Sequence, residues 1–296
     1  MDSYKPQDFK QFLNRRKIKD QVAHGLIVGL SVVTILPVIL IISKLLIEGI
    51  GQISFNFILE TPPDSYEAMT AVALGDKIPG GIANGITGTL LMVTVASVMA
   101  IPTGILTGIY LYENPGSLKA GLTRNVTEIL QGVPSIVLGL ISYLWVVKHI
   151  TNGFSALAGS ISLAIMMLPM IVKTTEETFK MISPSIKEAA LALGVPYYKV
   201  LVRVMIPTGF SGLLTGILIG ISRILGETAP LLLTALGSSQ INLNITEPVS
   251  AIPLLIWEFY NDPNMVELIW SSSLLLMGII LILNLTARKV AFRTVK

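Results

Sequence analysis

The sequence predicts an all-α polytopic membrane protein of six transmembrane helices, and three observations carry that reading. Hydrophobic residues make up 52% of the 296 and charged ones 13%, with a mean hydropathy of +0.73, which is too apolar for a water-soluble globule of this length. Six apolar stretches each supply the about 20 residues needed to cross a hydrocarbon core about 30 Å thick. The stretches are continuous, without the in-and-out alternation over about 10 residues that marks a barrel strand.

Residues 1–23 are polar and basic and read as a cytoplasmic segment. The first span, 24–49, is longer than a signal-peptide core and lacks a small-residue cleavage site, so it is expected to be retained. A polar loop over 50–81 leads to the second span, 82–112, followed by the third, 129–151, and the fourth, 154–181. A polar-punctuated stretch, 184–207, precedes the fifth span, 209–236. The next loop, 237–266, contains the apolar run Ile252 to Tyr260. That run is too short to cross and is expected to lie at the outer interface, with Trp257 and Tyr260 at its edge, or to re-enter in part. The sixth span, 267–289, ends in a tail, 290–296. No internal repeat is found, so 24–289 reads as one membrane domain. Pro37, Pro102, Pro134, Pro169 and Pro230 fall inside the expected spans and predict kinked helices whose freed carbonyls are satisfied by neighbours.

With both ends inside, 17 of the 21 Lys and Arg residues lie on the cytoplasmic side, as the positive-inside rule requires. Lys44, Lys77 and Lys148 remain outside, where the two long loops carry mostly acidic residues. The net charge of +3 and the pI near 9.0 follow from this asymmetry and require no nucleic-acid partner. The absence of cysteine excludes disulfides, iron–sulfur clusters and thiolate zinc sites. No metal site and no cofactor is expected in this chain. His24 and His149 lie near opposite faces, so the sequence offers no catalytic constellation and the chain is not expected to be an enzyme.

The stretch 184–207 carries the first functional pattern. Ser185 and Glu188 form an S-x-x-E capping box after Pro184, which predicts a short helix beginning there. Gly194 ends it, and Val195-Pro196 restarts the chain in a new direction. Ile186, Ala190 and Leu193 form a narrow apolar stripe suited to a partner's groove. Small Ala189 and Ala190 allow close approach. Glu188, Ala189, Ala190, Gly194 and Pro207 fit E-A-A-x3-G-x9-I-x-L-P, with Val204 and Ile206 replacing the Ile and Leu.

The fifth span carries the second. Arg223 lies about 14 residues into it, roughly 21 Å along at 1.5 Å per residue, and Glu227 follows one turn later. On an ideal helix Gly212, Gly216, Gly220, Arg223, Glu227, Pro230 and Thr234 fall within an arc of roughly 80°. The glycines permit close helix packing, and the charges on the same face are too expensive to leave in lipid. A guanidinium offers forked donors matched to a tetrahedral oxyanion. Arg223, moderated by Glu227 and with Thr228 beside it, is expected to line an anion pathway. No G-x4-G-K-[ST] phosphate loop is present, so nucleotide is not cradled here by that device.

The 184–207 pattern resembles the coupling loop of ABC importer permeases, and Ser222-Arg-Ile-Leu-Gly-Glu-Thr-Ala-Pro-Leu-Leu231 is similar to the phosphate permeases of the PstA type. The resemblance spans most of the chain and implies the type I ABC importer permease architecture. It implies a coupling role for Glu188, Ala189, Ala190 and Gly194, and phosphate passage at Arg223 and Glu227. It further implies a second permease subunit, two ATPase subunits that bind ATP and Mg, an external phosphate-binding protein, and residence in the cytoplasmic membrane of a prokaryote. Molybdate or sulfate would suit Arg223 equally on chemistry alone.

Overall fold

The structure, a computed structural model, describes residues 6–294. Residues 1–5 of the basic segment and 295–296 of the tail lie outside the described residues. Helix α1 (Pro6–Gly49) runs unbroken from the polar segment through the first span. Between it and the second span, α2 (Phe55–Leu59) and α3 (Ser65–Leu74) form where local caps direct them. The Ser54 hydroxyl accepts from the Phe57 amide at 3.1 Å and the Asp64 carboxylate from the Glu67 amide at 2.9 Å, each satisfying an orphan donor of a first turn.

Helix α4 (Ala83–Glu113) passes through Pro102 without breaking. The third span, expected as one helix over 129–151, is instead a bent pair: α5 (Leu118–Gly132) and α6 (Ser135–Ser142), the latter extended by a π-helical turn over Tyr143–Val147, meet at 106°. Pro134 is the cause. Val133 ahead of it is extended, with φ −70° and ψ 130°, because the proline ring excludes α geometry from the preceding residue. Helix α7 (Ala156–Met181) carries Pro169 within it and is the centre of the molecule. In its most apolar stretch 67% of residues are buried, against none for α1.

The loop at 184–207 forms α8 (Pro184–Ala192) and α9 (Tyr197–Val200), followed by a π-helical turn, Leu201–Met205, and α10 (Ile206–Thr208). Helix α11 (Phe210–Leu225) then meets this segment at 70°. The expected fifth span over 209–236 is thus corrected. Its helix ends at Leu225, the chain turns at Gly226, and only the short α12 (Ala229–Leu232) follows. Pro230 lacks the amide that would continue the earlier ladder and sits second in α12 instead, in a first turn that needs no such donor. The apolar runs on either side, 212–221 and 231–233, made the segment read as one span.

The Ile252 to Tyr260 run forms α13 (Ile252–Tyr260), and α14 (Val266–Thr294) follows a 3-10 turn at Pro263–Met265. Helix α13 turns Ile252, Leu254, Leu255 and Phe259 inward, and the Ile252 amide donates to Thr89 Oγ1 at 2.9 Å. Trp257 and Tyr260 stay exposed with their rings stacked. Among the described residues four helices are long and apolar enough to cross a membrane, and up to six if each bent pair is one span.

Of the five side-chain clusters among the described residues, the three largest hold most of these elements. The largest joins α4, α7 and α12 through Met92, Ala96, Leu163, Met167, Ile171 and Leu231. A second, at the α2–α13 end, centres on Phe57, Ile82, Leu255, Phe259 and Leu268. The third, at the opposite end, sets Ile109, Phe179, Val200, Met205 and Leu213 beneath the 184–207 loop.

Candidate functional site

The loop at 184–207 is a helix–elbow–helix, but its first helix begins two residues earlier than the capping box requires. Ser183 is the N-cap and Pro184 opens α8, with no side-chain cap bond. Proline is preorganised for that first helical position, which places Ser185 inside the helix, where its hydroxyl meets that of Ser183 at 2.8 Å. The expected box is therefore absent. The elbow follows from Gly194, whose φ of +75° lies in the left-handed region that a Cβ disfavours.

Glu188 and Ala189 are exposed on α8, and Ala190 is half-buried. The expected stripe divides accordingly. Ala190 packs inward with Val195 on the chain's own cluster, while Ile186 and Leu193 stay 40% and 83% exposed. Pro207 lies in α10, exposed, directly after the π turn. There the Ile206 amide reaches back to the Leu201 carbonyl, a widened turn that precedes a residue with no amide to donate.

Helix α11 is seated on α7 by its glycines. A Cβ at Gly212 would meet Thr178 side-chain atoms at 2.5 Å, one at Gly216 would overlap the Thr174 side chain, and one at Gly220 would lie 3.1 Å from Met167. Arg223 shares that face on the last turn. Glu227, Pro230 and Thr234 do not, since the helix has ended before them; the expected seven-residue face is corrected to its first four members.

The turn at Gly226 nonetheless keeps the charges together. Arg223 Nε and Glu227 Oε1 are 4.0 Å apart, with side chains 38% and 21% exposed. That separation is a loose ion pair, beyond hydrogen-bond reach, so the guanidinium retains donors for another acceptor. Thr228 is the N-cap of α12, its carbonyl accepting from the Leu231 and Leu232 amides at 3.1 Å. One residue before Arg223, the Ser222 hydroxyl meets Asn284 Oδ1 of α14 at 3.2 Å.

Two charged assemblies escape the sequence reading. Glu176, buried near the end of α7, accepts from Arg124 of α5 at 2.9 Å and pairs with Lys180 at 2.7 Å. Arg124 also donates to the carbonyls of Leu111 and Pro115, so one guanidinium ties α4, α5 and α7 together. Lys187 of α8 pairs with Glu113 at the end of α4, 2.7 Å away. Glu176 to Lys180 has helical spacing, the only local signal; the other partners are distant in sequence. Among the described residues no group of His, Cys, Asp or Glu could hold a metal ion.

Residues 100–296 match the family described as binding-protein-dependent transport system inner membrane component. The phosphate transport system permease protein PstA of Xylella fastidiosa (strain 9a5c) is 39% identical over 72% of this chain and 76% of its own length. The protein of that name from Yersinia pestis is 36% identical over 92% and 90%. PstA 1 of Mycobacterium tuberculosis (strain ATCC 25618 / H37Rv) is 32% identical over 97% and 92%. Among solved structures, an inward-facing conformation of the MetNI methionine ABC transporter superposes with a TM-score of 0.59 at 19% identity, covering 71% of this chain and 94% of that one; this likeness concerns the fold.

Proposed function

The chain belongs to the binding-protein-dependent transport system inner membrane components and, among them, to the PstA phosphate permeases, and from this we infer that it is the transmembrane permease subunit of an ATP-binding-cassette importer for inorganic phosphate. It is a multi-pass membrane protein working within a complex. We assign ATP and Mg to two copies of a separate ATPase, the other half of the pathway to a second permease, and delivery of phosphate to an external binding protein. Both termini are assigned to the cytoplasm on the distribution of basic residues.

The observation that carries the anion reading is the loose pair of Arg223 and Glu227 at the broken end of α11. A guanidinium with spare donors attracts a phosphate oxyanion, and a carboxylate 4.0 Å away offsets that attraction enough for release. Glu188, Ala189, Ala190 and Gly194 present α8 and its elbow to the ATPase, and Pro207 carries the loop into the helix bearing Arg223. Closure of the ATPases moves the loop, the helices rock between inward- and outward-facing, and phosphate passes Arg223.

Arg223→Gln tests this assignment. In vesicles containing the whole complex, uptake of labelled phosphate is expected to fall by at least about 100-fold, the scale of a lost charge-assisted contact of about 3 kcal/mol, with all subunits still co-purifying. Normal uptake by that variant would remove Arg223 from the pathway.

A further inference from the structure

The loop at 184–207 is fastened to α4 by a lysine to which the importer reading assigns no role. Lys187 of α8 places its ammonium 2.9 Å from Glu113 Oε1 and 2.7 Å from Oε2. The same ammonium lies over the ring of Tyr112, 5.4 Å from its centroid, and over that of Tyr197, at 5.3 Å. One cation therefore joins α8 to the end of α4, through Glu113 and Tyr112, and to α9 beyond the elbow, through Tyr197. Helix α8 buries no residue of its own, and its backbone packs on α9 and the π turn.

We propose that Lys187 is the positioning residue through which movement of the 184–207 loop is delivered to α4, a role that rests on the importer reading above. An ammonium is a compact charge with three donors on a flexible stem. It can hold a carboxylate while the helix that bears it changes angle. Helix α4 lies against α7 along Gly104 and Gly108, where an added Cβ would press on Ile171 and Thr175. Helix α7 holds α11 through Thr174 and Thr178 on the glycine face, and α11 ends at the turn bearing Arg223. Close packing of this kind passes on displacement because interiors yield little. Lys187 and Glu113 are 23% and 22% exposed, so both charges lie mostly out of solvent, where removing one partner leaves the other uncompensated. The exchanged pair keeps both charges and so separates loss of the tie from loss of the fold.

The test measures phosphate taken up per ATP hydrolysed, in vesicles holding the assembled complex and its binding protein. For Lys187→Met, ATP hydrolysis is expected to continue while uptake per ATP falls about tenfold, within the range of coupling free energies between sites. Lys187→Arg is expected to keep the wild-type ratio. The exchange Glu113→Lys with Lys187→Glu should recover most of what Lys187→Glu alone loses. A lysine that merely supports the fold would lower hydrolysis and uptake together and leave the ratio unchanged. The tie is overturned if Lys187→Met transports at the wild-type ratio, or if the exchanged pair does no better than the single reversal. Should Lys187→Met fail to assemble, the exchanged pair decides. A wild-type complex that hydrolyses ATP without taking up phosphate overturns the importer reading itself, whereas normal wild-type uptake beside an unaltered variant ratio overturns only the tie.

Discussion

Arg223 is conspicuous in the chain as a charge within an apolar run, and its partner can be guessed because helical spacing brings i and i+4 together. The structure supplies the ion pair by a different route, a turn at Gly226 in place of another turn of helix. Glu176 and Lys187 are harder to read from sequence, because Arg124 and Glu113 lie 52 and 74 residues away. No local pattern selects among the remaining charges. Asp262 is a similar case. The Ser65 hydroxyl of α3 beside its carboxylate and the Asn264 amide that donates to it hold its pKa below the ordinary aspartate value. A carboxyl with a depressed folded pKa contributes stability that is present above its unfolded pKa and lost as pH falls through the folded one. Hydrogen exchange over residues 65–74 is therefore expected to show loss of protection once the pH drops below about 3.9. Asp262→Asn should flatten that dependence.

At the scale of elements, long apolar helices were legible and their interruptions were not. Pro102 and Pro169 are accommodated within α4 and α7, whereas Pro134 and Pro230 mark breaks. The same residue type gives opposite results because tertiary packing decides whether the ladder continues. The elbow at Gly194 was readable, since a glycine before Val-Pro favours a turn. The capping box failed because Pro184 fixed the helix start ahead of it. Glycine contacts distinguish two kinds of neighbour. A Cβ at Gly88 of α4 would overlap the Ser250 backbone carbonyl, while one at Gly216 would overlap a threonine side chain. Backbone cannot rotate away, so Gly88→Ala is expected to destabilise by about 1–3 kcal/mol, read as a lower thermal midpoint in detergent. Gly216→Ala should show a smaller shift, and the reverse order would contradict this packing.

For the whole molecule, composition and basic-residue asymmetry identify a polytopic membrane chain, and the family places it among PstA permeases. Physics alone does not distinguish phosphate from other tetrahedral oxyanions at Arg223, because a guanidinium serves all of them. The decisive measurement is ATP-dependent uptake of labelled phosphate by vesicles containing the chain with its partner subunits and binding protein, competed in turn by unlabelled phosphate, sulfate and molybdate. Uptake blocked by unlabelled phosphate alone is the predicted result; uptake blocked more effectively by sulfate or molybdate would contradict phosphate as the transported ion.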